Sequence, residues 1–355
     1  MQLTIKTGLF FSTAIVATAT ASITSAQDAF GIHVNTPEKA IIIVEDGEII
    51  EGDVTGIYAD NGAIDLTVED GGAVRGNGTD PGGEDRRPDA CVVIAQPGST
   101  VVNAGSISGA AHGLATSLFF PEDDAGEALT PQPLATDTRV TNLATGRILG
   151  ERGHGVVMVG GGSLTNAGLI GGSGLQPGST ILQGSAGVFM AGFEGKAAVD
   201  GGGIGTIINQ DNGRIQGQVY GVVLSGGGRI ENAGIISASP LPQGGQAPVG
   251  VVLTAQADED GRIASLVNTG SVSGFISVSA SGRLADASIV NSGSLRGTAI
   301  GVLNNLQSGG RLTIENQEGG VISGQTNAIR SSFGSLTVNN AAGATISSTN
   351  NAIET

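Results

Sequence analysis

The residues able to do chemistry at neutral pH are few in this sequence, and they are scattered. It has three histidines (His33, His112 and His154) and one cysteine. Two histidines share a setting, AHGL at 111–114 and GHGV at 153–156. If those stretches register with each other, the two imidazoles stack and could form a metal pair, although turn residues are the simpler reading. Cys91 opens the apolar run CVVI at 91–94, where a small buried hydrophobe fits better than a nucleophile. A single cysteine also excludes an intramolecular disulfide.

Acidic runs are the next candidates. PEDD at 121–124 and DED at 258–260 raise the question of calcium. The calcium-binding nonapeptide G-G-x-G-x-D is approached only by GGIGT at 202–206, and Ile207 stands where the aspartate belongs. Solvated acidic loops are therefore expected, with no metal and no cofactor. No G-x-S-x-G, H-E-x-x-H, paired C-x-x-C or P-loop occurs. Glycan cleavage needs clustered carboxylates beside aromatic platforms. Aromatic residues make up 3% of the chain and tryptophan is absent, so no catalytic residue is expected. A polysaccharide lyase or glycosidase remains the enzymatic alternative.

The elements that carry these residues repeat. The phrase N-x-G-x-I-x-G returns as NAGSISG at 103–109, NAGLIGG at 166–172, NAGIIS at 232–237, NTGSVSG at 268–274 and NSGSLRG at 291–297. Looser copies are NLATGRI at 142–148, NQDNGRI at 209–215, NQEGGVI at 316–322 and NNAAGATI at 339–346. A second phrase precedes them: GVVM at 155–158, GVFM at 187–190 and GVVL at 221–224 and 250–253. The shortest steps between asparagines are 23 to 25 residues, and the longer ones are the same unit with a loop inserted. Those inserts, rich in glycine and proline, fall at 77–90, 119–137, 171–184, 192–203 and 240–248.

Three strands of three to five residues fit in each unit of about 24, and no helical period is sustained. Such units close as coils of an all-β parallel β-helix, each strand pairing with its equivalents above and below. In SIS at 106–108 the isoleucine points into the bore and the serines to water. The repeated Asn103, Asn166, Asn232, Asn268 and Asn291, with Gly105, Gly168, Gly234, Gly270 and Gly293, are expected at the corners. Asparagine and glycine tolerate left-handed backbone, which a sharp corner is expected to require. Stacked asparagines can also bond amide to amide along the axis. About ten coils give a rod of roughly 50 Å at ~4.8 Å per strand spacing.

Residues 1–26 read as a signal peptide, with Lys6 ahead of an apolar run and small residues before a cleavage point after Ala26. Residues 27–75 read as an N-terminal cap with the first irregular coils, and 76–355 as the repeats, breaking off as a further coil begins. No later apolar stretch is long enough for a spanning helix. The 61 glycines rule out an ordinary globular enzyme, while 39% hydrophobic residues rule out a disordered glycine-rich chain. A formal charge of −16 argues against nucleic acid and against anionic membranes as partners.

These repeats, from about residue 41 to 355, resemble the passenger domains of bacterial autotransporters. The resemblance implies a right-handed parallel β-helix displayed at the cell surface. It also suits the near absence of cysteine, since a passenger crosses the outer membrane unfolded. The family's C-terminal translocator barrel is missing from this sequence, so contact with the outer membrane would need a translocator that these residues do not include. The expected function is a non-enzymatic, adhesin-like scaffold, exported or surface-bound. Its expected partners are other cell surfaces, extracellular matrix, glycans or itself. A structural component of a surface layer or filament is a further alternative.

Overall fold

The computed structural model describes residues 23–24, 30–78, 90–116, 137–173, 185–191, 205–239, 247–256, 263–283, 286–307 and 309–355. The signal peptide, apart from 23–24, most of the five inserts and both acidic runs lie outside the described residues. Among the described residues there is no helix.

A run such as TVVNAGSISG forms two strands because its β-branched and hydroxyl residues favour extended backbone, and a two-residue corner follows the asparagine. Neither strand can bury its apolar face alone, so each stacks on its equivalent in the next coil. In one coil the strands are Thr100–Asn103, Ser106–Gly109 and His112–Thr116. The first strands of eleven coils form one eleven-stranded sheet. Second and third strands belong to a 22-stranded sheet, because Ser271–Arg283 and Ser294–Gln307 run around the corner between the two faces unbroken. Among the described residues all pairings are parallel except that of Ile23–Thr24 with Phe30–Val34. The chain is a right-handed parallel β-helix. Ten spacings of ~4.8 Å make the stack about 48 Å long.

Register holds like on like. Ile107, Ile148, Ile170, Ile215 and Ile236 succeed one another on the second face, all fully buried. Val101, Val140, Leu164, Ile207 and Ile230 do the same on the first face. These columns fill the bore as one continuous core.

Both ends of the repeat differ from the sequence expectation. Ala40–Val44 pairs residue for residue with Ile64–Val68, so the coils within the segment read as a cap with the first irregular coils are in regular register. Val44 and Val68 occupy the column that asparagine takes from Asn103 onward, which is why the Asn phrase is absent there. Residues 349–355, read as the opening of a further coil, instead supply Asn351–Glu354, the third strand of the eleventh.

Candidate functional site

The repeated asparagines close the first strand of each coil from Thr100–Asn103 onward. The Nδ2 of each donates to the Oδ1 of the next at 2.7–2.8 Å, through Asn103, Asn142, Asn166, Asn209, Asn232, Asn268, Asn291, Asn316 and Asn340. Each of the first eight also donates to backbone carbonyls at the corner, as Asn142 does to Gly146 and Leu169. The spine thus satisfies polar groups in a dry interior. One position is corrected: in the last coil Asn340 takes the ladder place, while Asn339 pairs with Glu315 and faces outward.

The reason for the corner residues is also corrected. None of Asn103, Asn166, Asn232, Asn268 and Asn291, nor Gly105, Gly168, Gly234, Gly270 and Gly293, has a positive φ. The glycines are needed for closeness instead. A Cβ on Gly168 would collide with the carbonyl oxygen of Gly146 one coil back, and the same clash recurs at Gly105, Gly234, Gly270 and Gly293. That glycine carbonyl accepts the N–H of the residue opening the next second strand, as Gly168 does from Arg214 at 2.8 Å. A side chain would wedge the coils apart. Positive φ occurs instead in the longer corners, at Gly47, Gly71, Gly319 and Gly343.

The corners also divide the faces. First and second strands are joined by two or four residues in every coil. The long connections, 77–89, 117–138, 173–185, 192–204 and 239–248, all attach to one end or the other of third strands. Over those coils the outward column of the third face is apolar: Tyr58, Val93, Ala115, Val157, Phe189, Val223 and Val252. Ser279 interrupts it where the long links cease, and Leu303 and then Arg330 follow. Phe30, Tyr58, Ala90, Val93 and Ala115 form a second apolar cluster outside the bore, with Val157 against it. The Phe30 and Tyr58 rings stack at 4.8 Å. His33 lies 5.2 Å from Tyr58, and its Nε2 is 3.0 Å from Asp60 Oδ1. Sequence reasoning missed this second layer. Its signal was the paired apolar residues in GVVM and GVFM, where simple alternation would put one of each pair outside.

His112 and His154 occupy successive coils on this face, their rings parallel within 5° and 5.1 Å apart. Phe189 tilts against His154 at 5.5 Å. His112 Nδ1 accepts the backbone N–H of His154 at 3.0 Å, and His154 Nδ1 accepts that of Ala186 at 2.9 Å. Both rings are therefore neutral with the proton on Nε2. Removal from water lowers the pKa of His112 to about 4 and of His154 to about 3. The stack is real, but one nitrogen of each ring is committed to closing a backbone bond. No group of three or more metal-ligating side chains occurs among the described residues.

Cys91 is fully buried, and burial pushes its thiol pKa well up. It occupies a corner column held by Gly56 and Gly113 in the adjoining coils, which only a small side chain can enter. On the first face, the four-residue corner after Asn209 stands proud of the two-residue corners on either side. It helps to line a notch of about 490 Å3 with Ile208, Gln210, Asp211, Glu231, Val267 and Thr269.

Comparison with family models, with curated proteins and with solved structures finds no match to this chain.

Proposed function

We propose that this protein is an exported, non-enzymatic scaffold of the autotransporter-passenger kind, adhesin-like, which engages another surface or a second cell through its third face. The observation that carries the reading is the placement of every long connection at the ends of third strands, over the coils whose outward column is apolar. The corners between first and second strands stay short in every coil, while every long connection falls at one of the two corners that flank the third strands, which suits a rigid rod presenting that side. The export signal expected at 1–26 and the lack of any catalytic motif support the same reading.

Display of the chain on a non-adherent bacterial strain tests it. Adhesion or self-aggregation above a matched strain is expected, and it should fall when the connections at 117–138 and 192–204 are replaced by short glycine-serine links. No gain in either assay removes the proposal.

The notch with Asp211 and Glu231 favours one second reading, a β-helical polysaccharide-active enzyme. Loss of viscosity or release of reducing ends from a polyuronate by the purified chain would establish it, and neither should occur in an Asp211→Asn/Glu231→Gln variant.

A further inference from the structure

The net charge of −16 conceals a departure on the second face. Its outward positions in the described strands carry four arginines, Arg75, Arg147, Arg214 and Arg296, and one acid, Glu51. All four arginines are exposed. Two cations on the first face are paired, Lys39 with Asp65 and Arg229 with Glu231. Arg147 and Arg214 make no ion pair among the described residues. They lie in one outward column, two coils apart, with Leu169 between them. At ~4.8 Å per coil their backbone positions repeat at roughly 10 Å along the axis. Beside them runs a second column of Ser108, Leu149, Gly171 and Gln216. The strip therefore alternates fixed positive charge with a low apolar floor and small polar groups. Glu151 and Asp211, the nearest acids in sequence, sit on the corners that border the strip and not on its strands.

We propose that this strip binds a linear acidic polysaccharide laid along the solenoid axis, with Arg147 and Arg214 each holding a carboxylate and Leu149 and Leu169 packing under the sugar rings. Arginine offers paired donors that match a carboxylate. A polymer with one charge per sugar can set its carboxylates at wide, regular intervals against two arginines. Duplex DNA carries a charge about every 1.7 Å, which two arginines cannot neutralise against the repulsion of an acidic chain. Arg75 and Arg296 lengthen the track towards each end, Arg75 with Glu51 beside it in register. The inference is independent of the adhesin reading, because it concerns a different face.

The experiment is equilibrium binding of size-defined polygalacturonate oligomers to the full chain at low and at 0.5 M salt. A neutral oligosaccharide of equal length, duplex DNA and phosphatidylserine vesicles serve as parallel arms. Binding to polygalacturonate alone is expected, weakening at high salt. Arg147→Gln/Arg214→Gln should lower the affinity at least tenfold, and Arg139→Gln on the first face should leave it unchanged. All substituted residues are exposed, so an unaltered melting temperature verifies each fold. No binding, equal binding of the neutral glycan, equal binding by the double variant, or tighter binding of DNA or vesicles overturns the proposal. Adhesion assays of the displayed chain read the third face separately, so either proposal can fail alone.

Discussion

Asn103 donates its Nδ2 hydrogen to Oδ1 of Asn142, one coil on, at 2.8 Å, while its own Oδ1 is buried with no partner among the described residues. The amide spine therefore has a direction. Its acceptor end stops against Val68, and its donor end lies at Asn340, where Nδ2 reaches only the carbonyl of Ala344.

Interrupting the spine should cost more in the middle than at the end. Asn209→Ala deprives Asn166 of its acceptor and Asn232 of its donor, both in a dry interior. A loss of about 2–3 kcal/mol is expected from urea denaturation. Asn340→Ala breaks one such bond, at a half-exposed coil, and should cost about 1 kcal/mol or less.

The unpaired Oδ1 of Asn103 offers a second test. Val68→Thr places a hydroxyl donor one coil below it with little change of shape. Stability within about 0.5 kcal/mol of the parent is expected, whereas Val101→Thr, in the aliphatic bore, should lose about 2 kcal/mol. Equal losses in chemical denaturation would show that the acceptor gains nothing from the hydroxyl.

Close approach and backbone handedness separate in the glycines. Gly168→Ala puts a Cβ into the carbonyl of Gly146 and should cost about 3 kcal/mol or more, or abolish folding. Gly47→Ala has open space around it and only the strain of φ 77° to bear. It should cost about 1–2 kcal/mol by the same measurement.

The histidine stack makes stability fall in acid. His112 and His154 are neutral in the fold with pKa values of about 4 and about 3, against 6.5 when unfolded. Above pH 6.5 neither state holds the extra protons, and the contribution is flat. Below it the unfolded chain takes them up first, so stability drops as pH falls from 6.5 towards 4 for His112 and towards 3 for His154. Each protonation also removes the acceptor of a backbone N–H. Melting temperature followed from pH 8 to 4 should decline over that window, and decline less in His112→Asn/His154→Asn.

Cys91 should resist maleimide at pH 8 in the native protein and react fully in urea, because burial disfavours the thiolate. Fast labelling of the folded chain would place the thiol at the surface.

The sequence by itself determined the architecture. A period of about 24 residues, three short apolar runs per period and asparagine at a fixed phase admit few arrangements besides a stack of coils. Like residues at equal phase must then meet across each parallel pairing, so the Asn ladder and the isoleucine columns were legible in advance. Its phase was misread only at NNAAG, where adjacent asparagines fit the phrase equally well and Asn316 in the coil below selects Asn340.

The tertiary structure alone decided what depends on neighbouring coils. The corner glycines looked like left-handed positions because sequence records a missing side chain and not the reason for it; the reason is the carbonyl of the adjoining coil. The apolar layer around Tyr58 and Val93, the stacked imidazoles with their inward-bonded Nδ1 atoms, and the arginine track on the second face gather residues 22 to 82 positions apart. Which columns share a face, and which connection borders them, follows from how many residues each coil takes to close. Inserts of irregular length hide that count until the strands are seen in register.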